Sequence, residues 1–475
     1  MTEQESAGHP VVPPPIIGPP MRPLRGAPMI WLFVAAFFLL LISFQFFAIA
    51  NPRGASKDQS LLQRTVESAE LRYEIARATG DAKQKDEVLR ETIADLNSLP
   101  LRTRGGGGIR ARMKLILSQE LSEPPPPVLS ELNAYTDDIV ETPEDTSSAK
   151  EESRKQRTRL NAYLEELYTG QPNAATKKRL ATAIESITGG RFPYSIAIER
   201  ARGDDKAAAS KMQGANVAVL LAAFLGCCLW AAYAIARLMG KLRPLGSPLS
   251  GAGPAVADNL GAAVLVVIAV GQLAIPILLA GFFGPTSSPW AQVAYFTVTA
   301  LFALYFIPIP RLGVRVSLSR LGLRFDWWKQ DVAWGVAMWV ANVPILLFAL
   351  FLGAIVSRWI PSAEHPAARQ FEDPSTVLPA LLGAVLLAPL VEEIIFRGAL
   401  FQGLLLRLRS VTLAVILNGV LFAAIHPQGG VALLALAWIG ASACLLVHQT
   451  RGLLAPIVMH ALNNGVIALL TVMNV

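Results

Sequence analysis

Two adjacent acids, Glu392 and Glu393, stand inside Val385–Arg397 (VLLAPLVEEIIFR), part of an apolar run long enough to cross a bilayer. Aspartate or lysine at the centre of a spanning helix costs ~2.5–3.5 kcal/mol on insertion scales, and glutamate should behave comparably, so the pair needs a reason to be there. Arg397 lies one helical turn beyond Glu393, so on a helix the two share a face and can pair. Glu392 is rotated ~100° away and is left without that partner. One paired and one unpaired carboxylate is the arrangement expected when one of them acts as a general base. An ion pair that merely braces a helix bundle is the structural alternative.

Two further polar sites follow. Phe422-Ala423-Ala424-Ile425-His426 closes one apolar run, and His460-Ala461-Leu462-Asn463-Asn464 lies inside the last. Phe422 and His426 share a helix face, as do His460 and Asn464. A phenylalanine ring there can shield a histidine from lipid and fix its orientation. Asn464 can hydrogen-bond a substrate carbonyl or a developing oxyanion. Two neutral imidazoles, His426 and His460, with a carboxylate can bind a divalent metal such as zinc, or hold a water directly. Either way the carboxylate takes the proton of the attacking water. Each piece alone is weak, because a lone intramembrane histidine is more often a packing residue.

These residues need membrane helices to carry them. The chain has 475 residues, 53% of them hydrophobic and 16% charged, which fits a multi-pass integral membrane protein rather than an ordinary soluble one. The net charge of +7 is explained by short basic loops and does not indicate nucleic acid. Three cysteines, Cys227, Cys228 and Cys444, fall in apolar runs, so no disulfide framework is expected. The fold expected is an all-α bundle of about nine spans: 29–50, 215–236, 259–283, 289–309, 332–356, 376–396, 411–426, 431–448 and 453–473. Basic residues cluster at Arg237, Lys241 and Arg243, at Arg311, Arg315, Arg320, Arg324 and Lys329, and at Arg407 and Arg409. Alternate loops, such as 284–288 and 427–430, carry no charge. The basic loops are expected on the cytoplasmic side, with the N-terminus, in what is expected to be the cell membrane.

Residues 1–28 are Pro-rich and read as a disordered tail. Residues 29–50 read as an uncleaved anchor, since Asn51-Pro52-Arg53 is a poor cleavage site. Residues 51–213 form a polar insert, expected outside the cytoplasm. Leu62, Val66, Ala69, Tyr73 and Ala76, then Leu89, Ile93, Leu96 and Leu99, follow helical spacing on either side of Gly80-Asp81 and suggest a helical hairpin that Pro100 ends. Leu160, Tyr163, Leu164 and Leu167 mark another helix, while Gly105–Gly108 and Pro124–Pro127 read as flexible and stiff linkers. No catalytic cluster is visible in the insert, which reads as a helical spacer or as a module for an unknown partner. Residues 214–254 supply a span and a linker, and 255–475 the domain with the polar sites.

The order EExxxR, FxxxH, HxxxN on separate spans resembles the CAAX-protease and bacteriocin-processing family of intramembrane endopeptidases. That family includes the type II CAAX prenyl endopeptidases and the lysostaphin-resistance protein A group. Leu321-Gly322-Leu323-Arg324 ahead of a span adds a weaker likeness. The resemblance covers about residues 255–475. It implies an endopeptidase acting on a membrane-associated protein or peptide, with Glu392 as base, Glu393 and Arg397 completing the first motif, His426 and His460 holding water or metal, and Asn464 stabilising the oxyanion. Prenylated substrates are not implied. Two other readings compete. Gly440-Ala441-Ser442-Ala443 is similar to the GxSG of rhomboid serine proteases, with Ser442 and His460 as the catalytic pair and Ala443 replacing the last glycine. A proton-coupled transporter could use the same acids and histidines as a relay, although no inverted repeat is evident. HExxH is absent, so the zincin pattern is unsupported.

One tension concerns depth. Glu392 is expected near the cytoplasmic end of its span and His426 near the outer end of the next, yet the two must meet. A run of ~15 residues rises only ~22 Å, short of a ~30 Å hydrocarbon core. The Phe422–His426 segment is therefore expected to end partway through the membrane, and Pro389 to bend the preceding helix inward.

Overall fold

The computed structural model describes residues 29–50, 80–101, 104–121, 147–168, 172–188, 192–202, 206–283, 289–309, 316–356, 374–426 and 430–472, with Gly170 and most positions of 61–77. Every regular element among them is helical. The N-terminal tail, Pro124–Pro127, the loop 284–288, Pro427–Gly429, His9 and His365 lie outside the described residues.

The insert builds its own core. Helical positions in 61–77 and the helices α2 (Ala82–Ser98), α3 (Arg104–Glu120), α4 (Ser147–Tyr168), α5 (Ala174–Thr188) and α6 (Tyr194–Arg202) surround it. Leu62, Val66, Ala69, Tyr73 and Ala76 are all buried, as are Leu89, Leu96, Leu160 and Leu164, so the helical spacing in the sequence is the core-facing stripe. Gly80 takes a left-handed φ of 73° between the first two helices. Asp81 then caps α2, its carboxylate accepting from the Gln84 amide at 3.0 Å. The helix stops at Ser98, two residues before Pro100. The linker expected at Gly105–Gly108 is instead the first turns of α3. Four glycines cost helix propensity, but Leu115, Ile116 and Leu117 further along are fully buried, and packing of that kind overrides intrinsic preference.

The apolar helices are α1 (Met29–Ala50), α7 (Lys206–Leu238), α8 (residues 254–283), α9 (Pro289–Phe306), α10 (Trp328–Val356), α11 (residues 374–408), α12 (Val411–Ala424), α13 (Gly430–Thr450) and α14 (Leu454–Val472). Among the described residues, five stretches are long and apolar enough to cross a membrane: Val217–Leu238, Pro254–Phe282, Trp328–Gly353, Thr376–Leu408 and Ala432–Thr450. Met29–Ser43, Trp290–Phe306, Val411–Ala424 and Leu454–Leu469 are shorter apolar stretches. The expected span 376–396 is longer than the sequence suggested, because its helix continues through Arg407 to Leu408. Helix α12 is the short one, at 14 residues, or ~21 Å of rise.

Close backbone contacts set the arrangement around α10, α13 and α14. A Cβ at Gly419 of α12 would stand 2.5 Å from the Ala437 carbonyl of α13, and one at Gly440 of α13 would stand 2.8 Å from the Gly419 Cα. Gly335 of α10 faces the Ala455 carbonyl of α14 in the same way, at 2.6 Å. Helix α1 is no isolated anchor. Val34 and Phe38 belong to the same core as α8 and α11, and the Trp31 indole donates to Asp258 Oδ1 at 3.1 Å.

The glycine contacts yield the first prediction. Gly419→Ala should lower the thermal unfolding midpoint of the purified protein, since overpacking of this kind costs typically about 1–3 kcal/mol. Gly281→Ala, on an α8 surface with nothing within 4 Å, should leave it unchanged or raise it, because alanine is favoured by about 0.5–1 kcal/mol in a helix interior. Equal effects of the two substitutions would contradict the close approach of α12 and α13.

Candidate active site

Helix α11 carries both glutamates and is irregular around them. A π-helical stretch runs over Leu382–Leu387, an α-helical turn over Ala388–Glu392, and a second π-helical stretch over Glu393–Phe401. Pro389 sits at the first turn of the middle segment, where its missing N–H breaks the backbone ladder. Such wide turns recur at functional sites, where they re-aim side chains and free backbone groups.

Glu393 and Arg397 are fully buried and form an ion pair at 3.0 Å from Arg397 Nη1 to Glu393 Oε1. The same carboxylate oxygen accepts from His460 Nδ1 of α14 at 2.9 Å. Glu393 therefore joins a buried cation to a histidine on another helix. The Arg397 guanidinium also lies 4.3 Å from the centre of the Phe422 ring. Phe422 meets Phe396 edge-on at 5.3 Å between centroids, His426 at 4.6 Å and His460 at 5.8 Å. Its ring thus packs against the guanidinium and against both imidazoles.

Glu392 faces the other way. Its Oε2 lies 3.8 Å from His426 Nε2 and 3.8 Å from His460 Nε2. Those separations exceed a hydrogen bond, and Glu392 Oε2 is buried without a hydrogen-bond partner. The tautomers follow from the other ring nitrogens. His426 Nδ1 is 2.7 Å from the Phe422 carbonyl, which can only accept, so Nδ1 carries the proton. His460 Nδ1 likewise donates to Glu393. Two Nε2 lone pairs and one carboxylate oxygen then converge with no donor among them. A water between them can donate one proton to Glu392 and the other to an imidazole. His426 reaches this point because α12 ends at Ala424 and the chain turns at Ile425. His426 and Glu392 retain 17% and 18% side-chain exposure, against 6% for His460, so the site is more accessible at Glu392 and His426.

Asn464 Nδ2 donates to the Ala384 carbonyl of α11 at 2.8 Å, which commits one of its two N–H bonds. Ser442 is fully buried, accepts from Asn342 Nδ2 at 3.0 Å and donates to the Ile439 carbonyl at 3.1 Å. Both ring nitrogens of His460 face the glutamates, so the Ser442–His460 pair expected for a rhomboid-like site is not formed. His448 has Arg237 and Arg451 as its charged neighbours, away from Glu392. Tyr295 of α9 lies within electrostatic reach of Glu392, its carbonyl accepts from the Thr299 hydroxyl at 2.7 Å, and no spacing in the sequence singles it out. The Glu393–His460 bond was equally invisible there, since the motif pairs Glu393 with Arg397 alone.

His426 and His460 offer the imidazole lone pairs expected of a metal-binding pair. Among the described residues, however, no group of three or more His, Cys, Asp or Glu side chains stands in the arrangement of a metal-ion site.

Comparison with known proteins adds a likeness over part of the chain. Residues 374–466 match the family model described as type II CAAX prenyl endopeptidase Rce1-like. No curated protein and no solved structure matches the chain. The matched stretch runs from the first turn of α11 into α14 and contains Glu392, Glu393, Arg397, His426, His460 and Asn464. The converging residues of this multi-pass membrane protein thus lie on the stretch that is similar to the type II CAAX prenyl endopeptidase Rce1-like model.

Proposed function

We propose that the protein is an intramembrane endopeptidase that hydrolyses a peptide bond of a membrane-associated protein or peptide with water activated by Glu392. The observation that carries this reading is the pair of 3.8 Å gaps between Glu392 Oε2 and the two Nε2 atoms. A water there is held by acceptors alone. It points its protons at Glu392 and an imidazole and leaves a lone pair for a substrate carbonyl. Its oxygen bonds to the carbonyl carbon as Glu392 takes one proton. The C–N bond then breaks, and Glu392 returns that proton to the departing amine. Glu393 holds His460 in the tautomer that exposes the Nε2 lone pair, and Arg397 neutralises the Glu393 charge. A divalent metal, as expected from the sequence, would take His426 and His460 as its donors and would acidify its bound water. The substrate must present an unwound strand, because a helix shields its own carbonyls. A prenyl group on the substrate is no part of this reading.

In the proposed topology all nine apolar helices run through the cell membrane, the N-terminus is cytoplasmic, and the insert 51–213 is extracytoplasmic and meets a partner of its own. The basic loops support this orientation. The Rce1-like match favours a peptidase over the transporter reading.

Three predictions follow the mechanism. Proteomics of membranes carrying the wild type or Glu392→Gln should find new termini with the wild type alone, since a general base contributes ~10²–10⁴-fold. Identical termini in both would end the glutamate-base assignment. Glu393→Gln should lower the unfolding midpoint as well as activity, because breaking a buried ion pair costs about 3–5 kcal/mol. A variant as stable as the wild type would place Glu393 outside the framework of the site. Finally, cysteines engineered into 61–101 should react with an impermeant reagent added from outside the cell, and labelling from the cytoplasmic face alone would reverse the topology.

A further inference from the structure

The carbonyl that Asn464 grips has an unusual history. At the end of the π-helical stretch Leu382–Leu387, the Ala388 N–H is committed to the Gly383 carbonyl, five residues back. The next bond in that register would run from residue 389 to Ala384. Residue 389 is proline and has no N–H. The Ala384 carbonyl is therefore without a donor from residue 388 or 389, at a depth where an unsatisfied carbonyl is costly. Asn464 Nδ2 fills the place at 2.8 Å. Gly465, the next residue, lies beside this turn, where a Cβ would make ordinary contact with Val385 Cγ1 at 3.6 Å.

We propose that Asn464 is a positioning residue. On this assignment its amide replaces the backbone hydrogen bond that Pro389 withdraws from Ala384, and so fixes the bend of α11 that presents Glu392. The idea rests on the peptidase reading for its kinetic consequences and on geometry alone for its structural ones. Helix α14 ties α11 at two places, through Asn464 to Ala384 on one side of Pro389 and through His460 to Glu393 on the other. Asn464 and His460 are one turn apart on α14. The two ties together hold the segment Ala388–Glu392 between them. Without the Asn464 tie, the part of α11 before Pro389 is held less firmly. Glu392 can then shift against His426 and His460, and misplacement by about 1 Å can cost ~10²-fold in rate.

The account specifies a rescue that an oxyanion role does not. Asn464→Ala should lower kcat, by about 10²-fold, with KM nearly unchanged, and should also lower the unfolding midpoint. Pro389→Ala returns an N–H to residue 389, where it can reach the Ala384 carbonyl. In that background Asn464→Ala should change neither kcat nor the midpoint, while Asn463→Ala serves as the neutral control. Full loss of activity on Asn464→Ala in both backgrounds, with unchanged midpoints, would assign Asn464 to the reacting carbonyl and overturn the proposal. If Pro389→Ala is itself inactive, the melting cycle still decides: non-additive midpoints support the Asn464–Ala384 tie, and additive ones refute it. Wild-type turnover by Glu392→Gln would sink the peptidase mechanism separately and would leave the melting cycle intact.

Discussion

Glu393 Oε1 is the atom on which the site depends. It receives Arg397 at 3.0 Å and His460 at 2.9 Å while fully buried. Burying an ion pair is seldom profitable by itself, since desolvation of both charges offsets their attraction. Here the pair performs a further task, because Glu393 fixes which nitrogen of His460 carries its proton. Phe422 adds the other half of the restraint, packing against the guanidinium and both imidazoles. A donor-free point facing Glu392 is what remains once these contacts are made. The neighbouring carboxylates thus have divided roles, one held inside the framework and one facing the reactive space.

Proline in the membrane appears twice as a device for joining helices. Pro389 leaves the Ala384 carbonyl to Asn464. In α10, Pro344 cannot donate to the Val340 carbonyl one turn back. Gly226 of α7 sits against that gap, since a Cβ there would stand 2.6 Å from both the Val340 carbonyl and the Pro344 ring. The adjacent Ala341 carbonyl accepts from the Trp230 indole at 2.8 Å. A carbonyl freed in a bilayer needs a donor, and for Ala384 that donor comes from a neighbouring helix. Helix α7 lies outside the stretch matched to the family model, yet it docks on α10, whose Asn342 in turn bonds Ser442 and Trp438 of α13.

Much of this was legible in the residues. The stripe Leu62, Val66, Ala69, Tyr73 and Ala76 gave the insert its core because a helix buries what recurs every three to four positions. The Glu393–Arg397 pair followed from one turn of spacing, and the early end of α12 from its short apolar run. Other features depended on tertiary contacts that no local pattern encodes. Gly105–Gly108 read as a linker because glycine disfavours helix, and packing further along α3 reversed that. The Asn464–Ala384 bond could have been suspected from Pro389, since a proline must orphan some carbonyl. Which helix answers it is a matter of three-dimensional packing. Ser442 looked like a nucleophile in sequence and proves to be a hydrogen-bonding partner of Asn342.

The central physical claim is that Glu392, His426 and His460 hold one water. The most direct measurement is density at the site in a lipid-embedded structure of the purified protein, at a resolution that shows ordered waters. The account predicts one peak within ~2.6–3.2 Å of Glu392 Oε2 and of one of the two Nε2 atoms. A peak ~2.0–2.1 Å from both Nε2 atoms would be a metal and would move the chemistry onto it. A Glu392 carboxylate bonded to a protein donor, with no density between it and the imidazoles, would contradict the account outright.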